Sequence, residues 1–344
     1  MRFEVNERTE RASAWDHTFF AAVAFLVLVS MLSGCWKEED RSSSHTDVTF
    51  SISPKDDSLV FNAKGDGGRD LYVLDLKRKH VTRISKSPDY ESEPSFSPDG
   101  KAVAFVARPP GDRGNHIFIQ SVDGGNRRQL TAEDSSDTSP AFSPDGSLLV
   151  FTRSRTYNSG GLASDWNAGD TLCVMKVDGS SLRQINTDGL YVLDPRFSPD
   201  GKQIVFWDSS VYLVAADGTE APRAVASLKG KQATFSPDGR LLLYTAGRYE
   251  RDVKIFVARV DGSEVRQLVS VRDVDANSSG GLYRPSFTPD GKRIIFLFSS
   301  WPDGPSGLPK RNLWEVKVEG GLPHKLANYT LFDEPLTYFP QAKD

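Results

Sequence analysis

One five-residue string, Phe96-Ser97-Pro98-Asp99-Gly100, constrains this chain more than any other feature because it recurs at near-regular intervals. Phe142 to Gly146, Phe197 to Gly201 and Phe235 to Gly239 repeat it letter for letter. Phe287-Thr288-Pro289-Asp290-Gly291 changes one hydroxyl residue, and Ile52-Ser53-Pro54-Lys55-Asp56 is a worn first copy. The leading apolar residues stand at 52, 96, 142, 197, 235 and 287, so the steps are 44, 46, 55, 38 and 52 residues. Periods of that size belong to repeat folds, most often propeller blades.

The string is itself a turn. Proline presets φ at the second position, Ser and Asp suit the polar positions, and Gly closes the turn in the left-handed region. A short strand ending in Phe precedes it, as in Pro94-Ser95-Phe96, and an apolar strand follows, as in Ala102-Val103-Ala104-Phe105 and Ile294-Ile295-Phe296. A third strand, such as Ile117-Phe118-Ile119 or Leu172-Cys173-Val174-Met175, runs into a second turn signal at Asp123-Gly124, Asp178-Gly179, Asp217-Gly218, Asp261-Gly262 or Glu319-Gly320. A fourth strand, Arg127 to Thr131 in the second unit, completes it. The expected fold is all-β, a six-bladed β-propeller with four antiparallel strands per blade.

The run from Pro94 to Gly100, through Val122-Asp123-Gly124-Gly125, to Gln129-Leu130-Thr131 resembles the TolB-type propeller repeat, which also builds the propeller of the prolyl oligopeptidase family. The resemblance covers about residues 47–330 and implies the fold. It assigns no activity, because propellers host unrelated functions. The oligopeptidase likeness stops at the propeller: the sequence holds no Gly-x-Ser-x-Gly elbow.

Ahead of the repeats, Phe19 to Leu32 is a run of 14 mostly apolar residues, the length of the apolar region of an export signal. Leu32-Ser33-Gly34-Cys35 follows and resembles the lipobox of bacterial lipoproteins, which implies cleavage before Cys35 and its lipidation. Residues 1–34 are therefore expected to be a signal peptide, 35–46 a lipidated cysteine and flexible tether, 47–330 the propeller and 331–344 an extra strand or cap. Blades are expected to start near 47, 92, 138, 193, 231 and 283. Trp36 after the cysteine points to the outer membrane and a periplasmic-side location, by similarity to lipoprotein sorting rules. Counted from Cys35, 39 basic residues face 42 acidic ones, with none of the basic stripe that nucleic acid requires.

In four-stranded blades, the turns after strands one and three share one face and those after two and four the other. The motif and Asp-Gly turns occupy the first face. The long connections 108–115, 154–170, 271–282 and 299–311 occupy the second, which is the expected working face because loops on a rigid scaffold carry binding. Arg153, Arg155, Trp166, Trp207, Arg248 and Trp301 fall there, and Trp and Arg dominate interfaces. Packing of loops onto blades is an equal reading for Trp207 and Trp301. Register places a second set, three residues before each motif's leading apolar residue, at the channel mouth on the same face: Thr49, Glu93, Ser139, Asp194, Gln232 and Arg284. Of these, Glu93, Asp194 and Arg284 are candidate binding residues.

Cys173 has no partner once Cys35 is lipidated and reads as core packing. His80, His116 and His324 show no metal-ligand spacing, and no metal or cofactor is expected. The leading functional expectation is a monomeric, non-catalytic scaffold that binds an envelope protein or glycan and meets the membrane through Cys35. The alternative is an envelope lyase or hydrolase acting on carbohydrate or peptide, with Glu93, Asp165, Asp170 and Asp194 as acid/base candidates.

Overall fold

A computed structural model describes residues 48–326, apart from 56, 66–67, 133–134, 156–169, 226–227, 248–251, 276–279 and 301–309. The strands form six four-stranded sheets, and in every sheet they lie in chain order with antiparallel neighbours. The innermost strands are β1 (Phe50–Ile52), β5 (Tyr90–Phe96), β9 (Ser135–Phe142), β13 (Leu193–Phe197), β17 (Lys231–Phe235) and β21 (Gly281–Phe287). Each touches the innermost strand of the next blade, and β21 returns to β1, so the sheets close a six-bladed propeller around a central channel.

The second strand of each blade is apolar throughout because both of its faces are buried. In β6 (Ala102–Arg108), Val103, Phe105 and Ala107 pack toward Val60, Leu71 and Ile84 of blade one. The alternate residues Ala104 and Val106 pack toward Leu149 and Phe151 of blade three. Similar clusters fill the remaining joints between blades. The last joint joins Leu59, Phe61 and Leu74 to Tyr283, Ile295 and Leu297, so among the described residues the ring closes by apolar packing, with no strand exchanged. The 331–344 cap expected from sequence lies outside the described residues.

Phe61, Phe105, Phe151, Phe206, Tyr244 and Phe296 hold one equivalent position in the second strands, each at most 3 % exposed. Their cross-strand partners are Tyr72, Phe118, Cys173, Tyr212, Phe256 and Trp314. Four of these pairs stack, with centroids 5.4–5.8 Å apart. Cys173 thus fills the slot that other blades give to an aromatic ring.

The motif turns share one hydrogen-bond scheme. Ser97 Oγ donates to Asp99 Oδ1 at 2.6 Å, Lys101 N donates to the same oxygen at 3.0 Å, and Ala102 N donates to Ser97 Oγ at 2.9 Å. Blades three to six repeat the first bond at 2.6 Å. In blade one Ser53 Oγ donates instead to Asp57, at 2.7 Å, so the worn copy keeps the scheme with its carboxylate displaced along the turn.

Candidate functional site: the central channel

The innermost strands are irregular at the same place in five blades. Opposite Phe105, β5 sets two residues, Glu93 and Pro94, against one. Ser139-Pro140, Asp194-Pro195, Gln232-Ala233 and Arg284-Pro285 do the same. These are β-bulges, which re-aim a side chain at a strand edge. Their first residues take positive φ: Glu93 51°, Ser139 57°, Asp194 48°, Gln232 55° and Arg284 51°. Non-glycine residues pay for that conformation, so five coincident cases mark a built feature.

The side chains at these bulges link the blades. Thr49 Oγ1 accepts from Glu93 N at 2.8 Å, a carboxylate oxygen of Glu93 accepts from Ser139 N at 2.5 Å, and Gln232 Oε1 accepts from Arg284 N at 2.9 Å. In each case one blade's side chain satisfies the bulge N–H of the next. Between blades three and four the scheme changes: Ser139 Oγ donates to Asp194 Oδ1 at 3.4 Å. Arg284 Nη1 also donates to Asp194 Oδ1, joining blade six to blade four past blade five. Trp207 Nε1 donates to Asp194 Oδ2 at 3.2 Å, and Lys231 lies over the Trp207 ring. Trp207 therefore buttresses the channel acid.

A second guanidinium stands one step further along the channel. Arg196 occupies the position just before the motif phenylalanine, where the other blades carry Ser51, Ser95, Ala141, Thr234 and Ser286. The sequence reading missed it by comparing only the column three residues ahead of the motif. Reading the column two residues further on exposes one arginine among small residues. Arg196 and Arg284, with Asp194, Gln232, Thr234 and Ser95, line a cavity of 110 Å³.

Burial pushes the Asp194 carboxyl up, but the guanidiniums of Arg284 and Arg196 and the Trp207 N–H outweigh it, holding it below the usual carboxylate range. Burial pulls Arg196 below its ordinary value, with repulsion from Arg284 adding to the shift and Asp194 opposing it. Burial acts the same way on Arg284, where attraction from Asp194 and Glu93 prevails and raises it. Both arginines stay charged. Among the described residues, Arg284 Nε is buried and finds no acceptor, and Arg196 donates only to the carbonyl of Pro195, at 2.8 Å.

The insertion-face candidates divide differently. Arg153 grips Asp137 with two bonds of 2.7 and 2.8 Å and lies over Phe151, so its charge is used inside blade three. Arg155 ends β10 (Leu148–Arg155). Its side chain, and Cys35, Asp165, Trp166, Arg248 and Trp301 altogether, lie outside the described residues. Among the described residues no group of three His, Cys, Asp or Glu side chains is placed to hold a metal. A larger groove of 680 Å³ opens between blades one and two on the motif side. Its carboxylates Asp57, Asp75, Asp99 and Asp123 are already engaged in turn hydrogen bonds.

Residues 26–167 match the family described as the TolB beta propeller domain. A TolB homolog from Chlorobium luteolum is 29 % identical over 126 residues, which cover 35 % of this chain and 27 % of that protein. The chain thus spans about a quarter of that relative's length. Among solved structures, TolB from Acinetobacter baumannii superposes with TM-score 0.60 at 18 % identity, covering 78 % of this chain and 63 % of that one. An oligogalacturonate lyase in complex with manganese gives TM-score 0.54 at 19 % identity, covering 78 % and 90 %. By its repeats and its blades the chain is a six-bladed β-propeller, and its repeats are similar to those of the TolB beta propeller domain.

Proposed function

We propose that this chain is a non-catalytic binding module of the cell envelope. A lipid on Cys35 holds it to the outer membrane, and the face carrying its long connections engages a protein or glycan partner. The fold decides nothing between scaffold and enzyme, since TolB and a lyase share it.

The observation that carries the reading is the state of the three described carboxylates among the acid/base candidates, Glu93, Asp170 and Asp194. Asp194 accepts from Arg284, Ser139 and Trp207 and is held ionised. Glu93 spends an oxygen on the Ser139 N–H, and Asp170 accepts from Ser154 Oγ. A general acid wants a raised pKa and reach to a substrate proton. These groups instead fasten the scaffold together. The apolar run before Leu32-Ser33-Gly34-Cys35 supports export and anchoring.

Crosslinking and pull-down from intact envelopes tests the proposal, with Trp166→Ala/Arg155→Ala as the variant. Arg153 is left in place because it holds Asp137. A specific partner captured by the parent and lost with the folded variant is the expected result. Equal capture by both overturns the assignment of the face. Cys35→Ala is expected to move the protein out of the membrane fraction, and continued membrane association overturns the anchor.

A further inference from the structure

The channel arginines carry more hydrogen-bonding capacity than the protein uses. Two guanidiniums supply ten N–H donors between them. Among the described residues, Arg284 spends one of them on Asp194 and Arg196 one on Pro195. Asp194 has little left to offer, since its oxygens already take Arg284, Ser139 and Trp207. Donor surplus facing a cavity favours an anion with acceptors in a plane, and a guanidinium fork matches a carboxylate.

We propose that the channel binds a carboxylate between Arg196 and Arg284. The cavity measures 110 Å³. That is room for a carboxylate and the carbon that bears it. The hydroxyls of Ser95, Thr234 and Ser286 line the same space. Blade four is the specific contributor, because the other five blades put Ser, Thr or Ala where it puts Arg196. Two sources share this chemistry, a free small organic acid and the C-terminal carboxylate of an extended peptide. The inference deepens the binding-module reading at its channel and rests on it.

Isothermal titration of the full chain tests it with three probes: acetate, trialanine with a free C-terminus, and trialanine amide. Arg196→Ser is the variant, since serine is the residue other blades carry there. Binding of a free acid, no binding of the amide, and at least a tenfold loss in Arg196→Ser are expected. Tighter binding of the peptide acid than of acetate assigns the peptide end, and equal or weaker binding assigns the free acid. No carboxylate binding at millimolar concentration, equal binding of the amide, or undiminished binding by Arg196→Ser overturns the proposal. Should Arg196→Ser not fold, Arg196→Gln is titrated instead, and a carboxylate-dependent rise in the parent's Tm is the second readout. Envelope capture measured alongside separates the two readings. Capture without carboxylate binding overturns this inference alone, and carboxylate binding without capture overturns the scaffold reading alone.

Discussion

Arg284 of blade six donates to Asp194 of blade four and so ties two blades that are not neighbours. The bond spans the channel beside blade five, whose Gln232 side chain receives the Arg284 backbone N–H. The same residue therefore joins three blades, by its backbone to the fifth and by its side chain to the fourth. Sheets that meet only through apolar faces can slide, whereas directional bonds across the axis fix their rotation. On this view the channel ring holds the geometry of the face it opens on.

Removing one side of that pair is expected to cost more than removing both. Asp194→Ala leaves Arg284 and Arg196 facing each other in a buried space, and loss of one partner of a buried ion pair costs about 3–5 kcal/mol. Asp194→Ala/Arg284→Gln removes the charge opposition and should recover part of that loss. Urea unfolding of the two single variants and the double variant measures the coupling. Additive losses would show that the pair is energetically idle.

Acid is expected to weaken the propeller through its turns. Hydrogen bonds from the preceding serine or threonine hydroxyl and the following backbone N–H hold Asp99, Asp200, Asp238 and Asp290 below the usual carboxylate range. Asp145 is held at about 2 by the Ser143 hydroxyl, Ser147 N and the Ser147 hydroxyl. Because the folded values lie below the unfolded ones, the stabilisation is fully present above the ordinary carboxylate pKa of 3.8 and is lost as pH falls through the folded value. Melting temperature should thus hold steady from neutral pH to about 5 and fall between about 4 and 2. In a variant with all five motif aspartates changed to Asn, that fall should be smaller. An identical acid profile would place the sensitivity elsewhere.

These turns explain why so much of the fold could be read from the sequence. Each motif closes on itself within six residues, Ser97 to Ala102 in blade two, so its meaning needs no distant contact. The channel ring was only half legible. The mouth positions from Thr49 to Arg284 follow from register, but the bulges do not. A bulge depends on which residue lies opposite, and only the paired strand reveals that Phe105 faces both Glu93 and Pro94. Arg153 illustrates the same limit. As an arginine near a loop it reads as a recognition residue, yet the cross-strand register Arg153 to Asp137 turns it inward to a buried carboxylate.

Cys173 gives a prediction about reactivity. Its thiol is fully buried opposite Phe151, and burial pushes its pKa up to about 11. The thiolate is the reactive form, so little is present at pH 8. Disulfide reagents should leave Cys173 untouched in the folded chain, in a Cys35→Ala background, and label it at the rate of unfolding in denaturant. Fast labelling of folded protein would contradict the packing around it.

The last prediction concerns the seam where successive motifs meet. Gly100 has φ +72°, and a Cβ placed on it would stand 3.4 Å from Pro54 Cγ of the preceding blade's motif. Gly146, Gly201, Gly239 and Gly291 meet Pro98, Pro144, Pro199 and Pro237 in the same way, at 3.6–3.7 Å. These are ordinary van der Waals distances, so the seam admits a methyl group and the left-handed turn is what requires the glycine. The φ penalty is about 1 kcal/mol, and it is the same at every copy because the five φ values lie between 69° and 74°. Gly100→Ala and Gly201→Ala should therefore destabilise by similar amounts in urea unfolding, and Pro54→Ala should recover none of the loss at Gly100. A larger loss at Gly100 that Pro54→Ala restores would mean that the seam between blades one and two, and not the turn alone, requires the glycine.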